Sequence, residues 1–361
     1  MFKERRSRLL GYLNQKESSV AVIFKPENIF YTTGFWGEGI ALCTSESTKL
    51  FIPKLEEKRA ELESKDCEVI LTERGSDSIK SIVSLLKQSK SFSDCNDYEL
   101  ITSICNYSKD IDLFITQEPF VKCRSVKDHY ELESIRKASS ILDTLFKICS
   151  EEIREGMTEK DLQAILVYEA MKLDATTACY PYLVEPLIVA SGPNSAKPHS
   201  VTSTRQFVKG DIIIVDLTLR YNHYVSDATR TFALKSASQE NINIYNIVGT
   251  AQRIGIANIK SGIESHQIDD ECRKEISRSG FGKNFIHSTG HGVGLEVHES
   301  PWIRQNEKTL LEDNMIITVE PGIYLPAKFG VRIEDTIQIN SDSSLEKNIL
   351  TQFTKDLLIL D

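Results

Sequence analysis

Ile212-Ile213-Ile214-Val215-Asp216-Leu217-Thr218-Leu219-Arg220-Tyr221-Asn222-His223-Tyr224-Val225-Ser226-Asp227-Ala228-Thr229-Arg230-Thr231-Phe232 reads as two β-strands joined by a tight turn. Four aliphatic residues run straight into Asp216, and the second strand, starting at Tyr224, passes Asp227. With Tyr221-Asn222 as the turn, the two aspartates face each other directly, with Cβ atoms roughly 4.5–5.5 Å apart. Carboxylates so placed repel unless something positive lies between them, and a pair of metal ions roughly 3.5–4 Å apart fits such a gap. The alternative is two surface aspartates on a half-exposed sheet. The aliphatic run argues against it, because an unpaired carboxylate in an apolar strand is costly.

Downstream, His287-Ser288-Thr289-Gly290-His291-Gly292-Val293-Gly294 is followed by Glu296, His298 and Glu299. Its glycines let backbone and side chains crowd around His291. The spacing is neither the dinucleotide-binding G-x-G-x-x-G nor the zinc motif H-E-x-x-H. An apolar run from Met315 ends in Glu320-Pro321-Gly322, and Val331-Arg332-Ile333-Glu334-Asp335 follows, where a strand would put Arg332 and Glu334 on one face. Alone, each of these residues reads as a solvated carboxylate, a simple ion pair or a structural histidine. Together, Asp216, Asp227, His291, Glu320 and Glu334 make four carboxylates and one imidazole, a charge that two divalent cations balance. Oxygen-rich ligation with one nitrogen suits Mn, Fe, Co or Zn.

Upstream, Asp128 to about Ile153 reads as one long amphipathic helix, with Leu132, Ile135, Ala138, Leu142 and Leu145 in a stripe. Gly156 is expected to stop it, and Thr158 with Asp161 to cap the next helix. Further helices are expected over about Ile242–Ile259 and Asp269–Ser277, and strands over Leu187–Ala190, Met315–Glu320 and Val331–Ile339. The first third alternates signals. Val20–Phe24 is a strand and Pro26-Glu27-Asn28 a break; Gly39–Cys43 and Lys49–Pro53 form a hairpin; Cys67–Leu71 is a strand between helices Glu56–Glu63 and Ser78–Leu86. Residues 120–127 read as a polar connection, which places a domain boundary near residue 125.

The chain has 361 residues, with Lys+Arg 43 against Asp+Glu 52 and a net charge of -9. That balance disfavours nucleic acid and anionic membrane as partners. No apolar run is long enough to span a bilayer, and the basic opening Met1–Leu10 lacks the apolar stretch of a secretory signal. The eight cysteines, with no C-x-x-C pair, read as mostly buried, reduced thiols of a cytoplasmic protein.

The strings SGPNSAKPH (Ser191–His199), Ile212–Phe232, HSTGHGVGLEVHESP (His287–Pro301), ITVEPGIY (Ile317–Tyr324) and GVRIEDT (Gly330–Thr336) resemble the pita-bread metallopeptidases. That family includes Xaa-Pro aminopeptidase, prolidase (Xaa-Pro dipeptidase), methionine aminopeptidase and creatinase. Asn28–Phe35 resembles the opening of a creatinase-type N-terminal domain, which favours the Xaa-Pro branch. The resemblance implies an α+β chain: a small α/β creatinase-like domain over residues 1–125, then a pita-bread catalytic domain over 126–361 with a curved, mostly antiparallel sheet covered by helices. It implies that Asp216, Asp227, His291, Glu320 and Glu334 hold two divalent ions, with manganese favoured over cobalt, zinc or iron. It implies substrate-site roles for His199, His287, His298 and Arg332, with Glu320, His298 and His199 serving the chemistry. The expected reaction is attack by a metal-bridging hydroxide on a peptide with proline at the second position, in a homodimer by family analogy. The alternatives are a creatinase-like C–N hydrolase needing no metal and a non-catalytic scaffold of the same fold.

Overall fold

In a computed structural model of the protein, residues 1–16, 18, 20–74, 76–86, 90–107, 111–178 and 187–361 are described. They form two compact units, Met1–Arg124 and Ser125–Asp361.

The first unit is built on a six-stranded sheet of order β4-β3-β2-β1-β5-β6, from β1 (Val20–Ile23), β2 (Ile40–Cys43), β3 (Thr48–Pro53), β4 (Glu68–Thr72), β5 (Lys90–Ser93) and β6 (Asp112–Ile115). β1, β2 and β3 pair antiparallel, and the outer pairings are parallel. The helices are α1 (Phe2–Asn14), α2 (Pro26–Thr33), α3 (Glu57–Glu63), α4 (Ser76–Leu86), α5 (Tyr98–Tyr107) and α6 (Glu118–Ser125). Pro26-Glu27-Asn28 is therefore not a break but the first turn of α2: proline at the first helical position has no N–H to lose, and Gly34, at φ +81°, closes the helix. The expected polar connection over residues 120–127 is likewise largely helical, in α6.

The second unit opens with α7 (His129–Glu152) and α8 (Glu159–Lys172), each started by a reciprocal cap, Asp128 with Glu131 and Thr158 with Asp161. Gly156 does not itself end α7, whose cap is Ile153; it lies in the turn beyond, at φ +84°. The main sheet centres on β9 (Ile212–Tyr221), which pairs antiparallel with β10 (Tyr224–Leu234), β8 (Leu187–Ser191) and β7 (Thr176–Thr177). β17 (Ile359–Leu360) adds parallel to β10. After α9 (Gln239–Ala257) and α10 (His266–Arg278) come β11 (Gly290–Gly292), β12 (Glu299–Ile303), β13 (Ile316–Val319), β14 (Gly322–Leu325), β15 (Phe329–Arg332), β16 (Asp335–Gln338) and α11 (Leu345–Asn348). A second antiparallel sheet has the order β12-β11-β13-β16, and β14 and β15 form a hairpin. The expected single strand over Val331–Ile339 is thus two strands, interrupted at Ile333-Glu334.

Alternation along β9 and β10 decides where the site lies. Val215, Leu217, Ala228 and Phe232 enter the apolar cluster under α7 and α8. Asp216, Thr218, Asp227 and Thr229 take the opposite face. Beyond that face, α9 and α10 pack on β13, β15 and β16 through Val248, Ala251, Ile268, Ile317, Val331 and Ile337. Among the described residues, no helix is long and apolar enough to cross a membrane. Seven cysteines are free thiols, five of them buried; Cys179 lies outside the described residues.

Candidate metal centre

The hairpin register corrects one expectation. Tyr221 pairs with Tyr224, so the turn residues are Asn222 and His223, both left-handed at φ +49° and +72°. That is the two-residue geometry whose twist matches paired strands. Asp216 consequently faces Thr229, and Asp227 faces Thr218. The aspartates are not directly opposed; they are diagonal neighbours on one face, a separation of roughly 7–8 Å that leaves more room between the carboxylates. The threonines opposite them are used: Thr218 Oγ1 donates to Asp227 Oδ1 at 2.9 Å and Thr229 Oγ1 to Glu334 Oε2 at 2.7 Å.

β11 carries His291 into the same space. A Cβ on Gly290 would overlap the Thr318 carbonyl, on Gly292 the Ser300 carbonyl, and on Gly294 the Glu299 carboxylate, so the strand packs this closely only as glycine. His291 Nδ1 lies 3.0 Å from the Gly292 carbonyl and must carry the hydrogen there. Nε2 is left with a bare lone pair, 3.4 Å from Glu320 Oε1 and 3.9 Å from Asp227 Oδ2. Glu320 follows β13, its N–H held by the Thr289 carbonyl at 2.7 Å. Glu334 sits in the break between β15 and β16, its N–H donating to the Thr229 carbonyl at 3.1 Å. Because the strand is broken there, period-two alternation does not explain why Arg332 and Glu334 share the site; the kink does.

All nine residues singled out in the sequence, Asp216, Asp227, His291, Glu320, Glu334, His199, His287, His298 and Arg332, line one cavity of about 220 Å³. Ligand atoms of Asp227, His291 and Glu334 lie within 4.8 Å of one another. Burial, then the neighbouring Glu334, Asp216 and Glu320, push Asp227 well above the carboxylate range. Glu320 is raised by burial and Glu334, and Glu334 by burial and Asp216, to about 8. Burial holds His291 well below its ordinary value, the neutral form that ligates. Buried carboxylates beside a bare imidazole nitrogen need either protons or cations to coexist, and this donor set fits divalent metal ions.

Arg332 is the hub of the adjoining wall. Its Nη2 donates to Asp216 Oδ2 at 2.6 Å, Nε to Thr229 Oγ1 at 3.0 Å, and Nη1 to the Tyr324 hydroxyl at 2.7 Å. Tyr324 in turn lies 2.9 Å from His287 Nε2, while His287 Nδ1 donates to the Ser288 carbonyl at 2.7 Å. The hydroxyl therefore accepts from Arg332 and donates to His287. Burial raises Tyr324 to about 12; burial and then Arg332 lower His287 to about 3. The His298 ring stands edge-on to His291 at 4.2 Å, and burial lowers it to about 4. Burial, then Arg332, also lowers His199.

Sequence reasoning did not single out Tyr324, although it lies in a quoted motif, nor the side chains beneath the site. Asp269 accepts from Thr289 N at 3.0 Å and pairs with Arg273 at 2.6 Å; Arg273 reaches the His287 carbonyl. Arg230 pairs with Asp335 at 2.8 Å and donates to the Glu334 carbonyl at 2.6 Å. Thr336 Oγ1 donates to the Asp227 carbonyl at 2.7 Å. These contacts fix backbone, and nothing in residue type or spacing marks them beforehand.

Residues 133–341 match the family model described as metallopeptidase family M24, and residues 5–96 that of the creatinase/prolidase N-terminal domain. The chain is 33% identical over 360 residues to the Xaa-Pro dipeptidase of Pyrococcus furiosus, an alignment covering 99% of this chain and 100% of that protein. The crystal structure of the prolidase from Pyrococcus horikoshii OT3 superposes with a TM-score of 0.89 at 33% identity, covering 98% of this chain and 100% of that one. The X-Pro aminopeptidase from Thermotoga maritima MSB8 gives a TM-score of 0.89 at 31% identity, with 98% and 99% covered.

Proposed function

The chain belongs to metallopeptidase family M24, and from that membership we propose that it is an exopeptidase hydrolysing Xaa-Pro bonds, with two divalent ions held by Asp216, Asp227, His291, Glu320 and Glu334. The observation that carries this reading is the convergence of four carboxylates and the bare Nε2 of His291 on one buried cavity. Manganese is the proposed ion, since oxygen-rich ligation with a single nitrogen suits it. Residues 126–361 are the proposed catalytic domain and 1–125 the creatinase-like one. The free thiols support a cytoplasmic protein, and a homodimer is proposed by family analogy.

When bound, the divalent ions supply a water acidified towards neutrality and a Lewis acid for the scissile carbonyl. The chain's own residues do the rest. Glu320, at the strand end, accepts and returns the proton of the attacking water. His298 and His199 donate to the oxygen on which charge develops. His287, locked by the Ser288 carbonyl and Tyr324, shapes the pocket around the residue after the cut. Arg332 holds Asp216 directly and Glu334 through Thr229, so it positions two candidate ligands. A special enzyme suits this substrate because the Xaa-Pro amide has no N–H for a strand-like clamp and samples the cis form.

The deciding experiment is an assay of Mn(II)- or Co(II)-reconstituted protein on Ala-Pro and Ala-Pro-Ala, with and without chelator. Hydrolysis that disappears with chelator and in Asp227→Ala is expected. Full activity of the variant, or of rigorously metal-stripped protein, rejects the assignment and favours a metal-free C–N hydrolase.

A further inference from the structure

The cavity is rich in anionic side chains and poor in cationic ones. Imidazoles aside, Arg332 is its one cationic lining side chain among the described residues. Its guanidinium is committed on every side, to Asp216, Thr229 and Tyr324 at 2.6–3.0 Å. The apolar part of the lining includes Ala178, Ile188, Pro198, Val297 and Trp302. Trp302 lies across the strand pair from His291, and its ring lies at 35° to that of His298, with centroids 6.2 Å apart. Arg304, next on that side of the chain, places its guanidinium 5.3 Å from the Trp302 ring and donates to Glu307 at 3.3 Å. It is half-exposed and does not line the cavity.

A bound peptide therefore meets unequal treatment at its two ends. An α-ammonium finds carboxylates. A free carboxylate on the residue after the cut finds, among the described lining residues, no ammonium and no guanidinium that is not already committed, and would leave water with only imidazoles beside it. A peptide carbonyl there carries no charge to desolvate, and an indole face packs well on a prolyl ring. Resting on the Xaa-Pro reading above, we propose that Trp302 makes the product side a neutral aromatic wall, so that the substrates are peptides continuing beyond proline, with Xaa-Pro dipeptides disfavoured. Trp302 is then a specificity-determining residue for the reaction.

The test compares kcat/KM of the Mn(II)-loaded enzyme on Ala-Pro and on Ala-Pro-NH2, which differ only in the terminal charge. The amide is expected to be favoured at least tenfold. Trp302→Arg should raise the acid relative to the amide by at least tenfold, Trp302→Phe should keep the native order, and Arg304→Ala should leave the ratio unchanged. Calorimetric binding of reduced-bond analogues of the two ligands supplies the order without turnover. Turnover with the acid preferred, or a preference that vanishes in Arg304→Ala, overturns the neutral wall while leaving Xaa-Pro hydrolysis intact. Absence of turnover with the amide still bound more tightly would sink the hydrolysis reading and keep the wall. Equal binding of both analogues overturns the wall.

Discussion

Arg332 and Asp216 meet through a 2.6 Å contact between Nη2 and Oδ2, both side chains largely enclosed, at 3% and 17% exposure. The same guanidinium reaches Tyr324 and, through Thr229, Glu334. One cation thus sets the attitude of carboxylates on two different elements, β9 and the kink after β15. A lysine, a point charge on a flexible stem, cannot make these bonds in three fixed directions.

Tyr324→Phe tests that arrangement. It leaves Arg332 Nη1, which is buried, short of an acceptor and His287 Nε2, which is partly buried, short of a donor. Hydrogen bonds to charged groups contribute roughly 1.5–3 kcal/mol, so kcat/KM should fall about 10- to 100-fold. Steady-state kinetics beside metal analysis checks this, with the metal content expected to stay as in the parent protein.

The carboxylates make a pH prediction for metal-stripped protein. Glu334 is raised from 4.5 to about 8, and Asp227 and Glu320 shift the same way. Across that interval the folded state keeps protons the unfolded chain has released. The stability they contribute is complete below about pH 4.5 and is lost as pH rises through about 8. Thermal melts of stripped protein should show Tm falling from about pH 7 to pH 8.5, above the interval in which His199, His287, His291 and His298, all held below their ordinary value, add stability as pH rises. Mn(II)-loaded protein should show a smaller fall, because cations replace the protons and release them on binding. A Tm that rises between about pH 7 and pH 8.5 in the stripped form contradicts the charge assignment.

Gly290→Ala should destabilise by about 3 kcal/mol, the upper end of the overpacking range. The added carbon meets the backbone carbonyl of Thr318, which no rotamer change can move aside. Gly11→Ala is the contrast: nothing lies within 4 Å of its Cβ position, inside α1. A gain of roughly 0.5–1 kcal/mol is expected there. Urea unfolding of the two variants against the parent protein measures both.

Lys127 and Glu299 form an ion pair at 3.0 Å with side chains 0% and 6% exposed. Glu299 Oε2 also accepts from Glu296 N at 3.3 Å, in the loop that carries His298. Lys127→Met takes the ammonium from a buried carboxylate and should cost about 3–5 kcal/mol. Adding Glu299→Gln should recover at least half of that loss. A double variant no better than the single one would mean that packing, not charge, is what Lys127 supplies.

What could be read from residues alone had a repeating or chemical mark. The stripe of α7, the cap Thr158, and the carboxylate set all carry one. The hairpin was legible except for its turn. Asn222 and His223 both adopt left-handed backbone, and with Asn222 read as the second turn residue the register shifts by one step. The strand that breaks at Ile333-Glu334 looks continuous because Val331, Ile333, Ile337 and Ile339 keep one phase in the sequence, with only Asp335 out of step. α2 and α6 are hidden by prolines that begin helices as readily as they interrupt them. Tyr324, Thr229, Thr336 and Asp269 were invisible because they act on partners far away in the chain, which no local pattern encodes.

The β9–β10 ribbon is at once the floor of the candidate centre and the ceiling of the hydrocarbon layer under α7 and α8. Its two faces trade places if the chain gains or loses a single position within β9, which would drive Asp216 into oil and offer Val215 to the substrate. Substitutions can therefore retune this enzyme by degrees, whereas a change of length at that place has no halfway form.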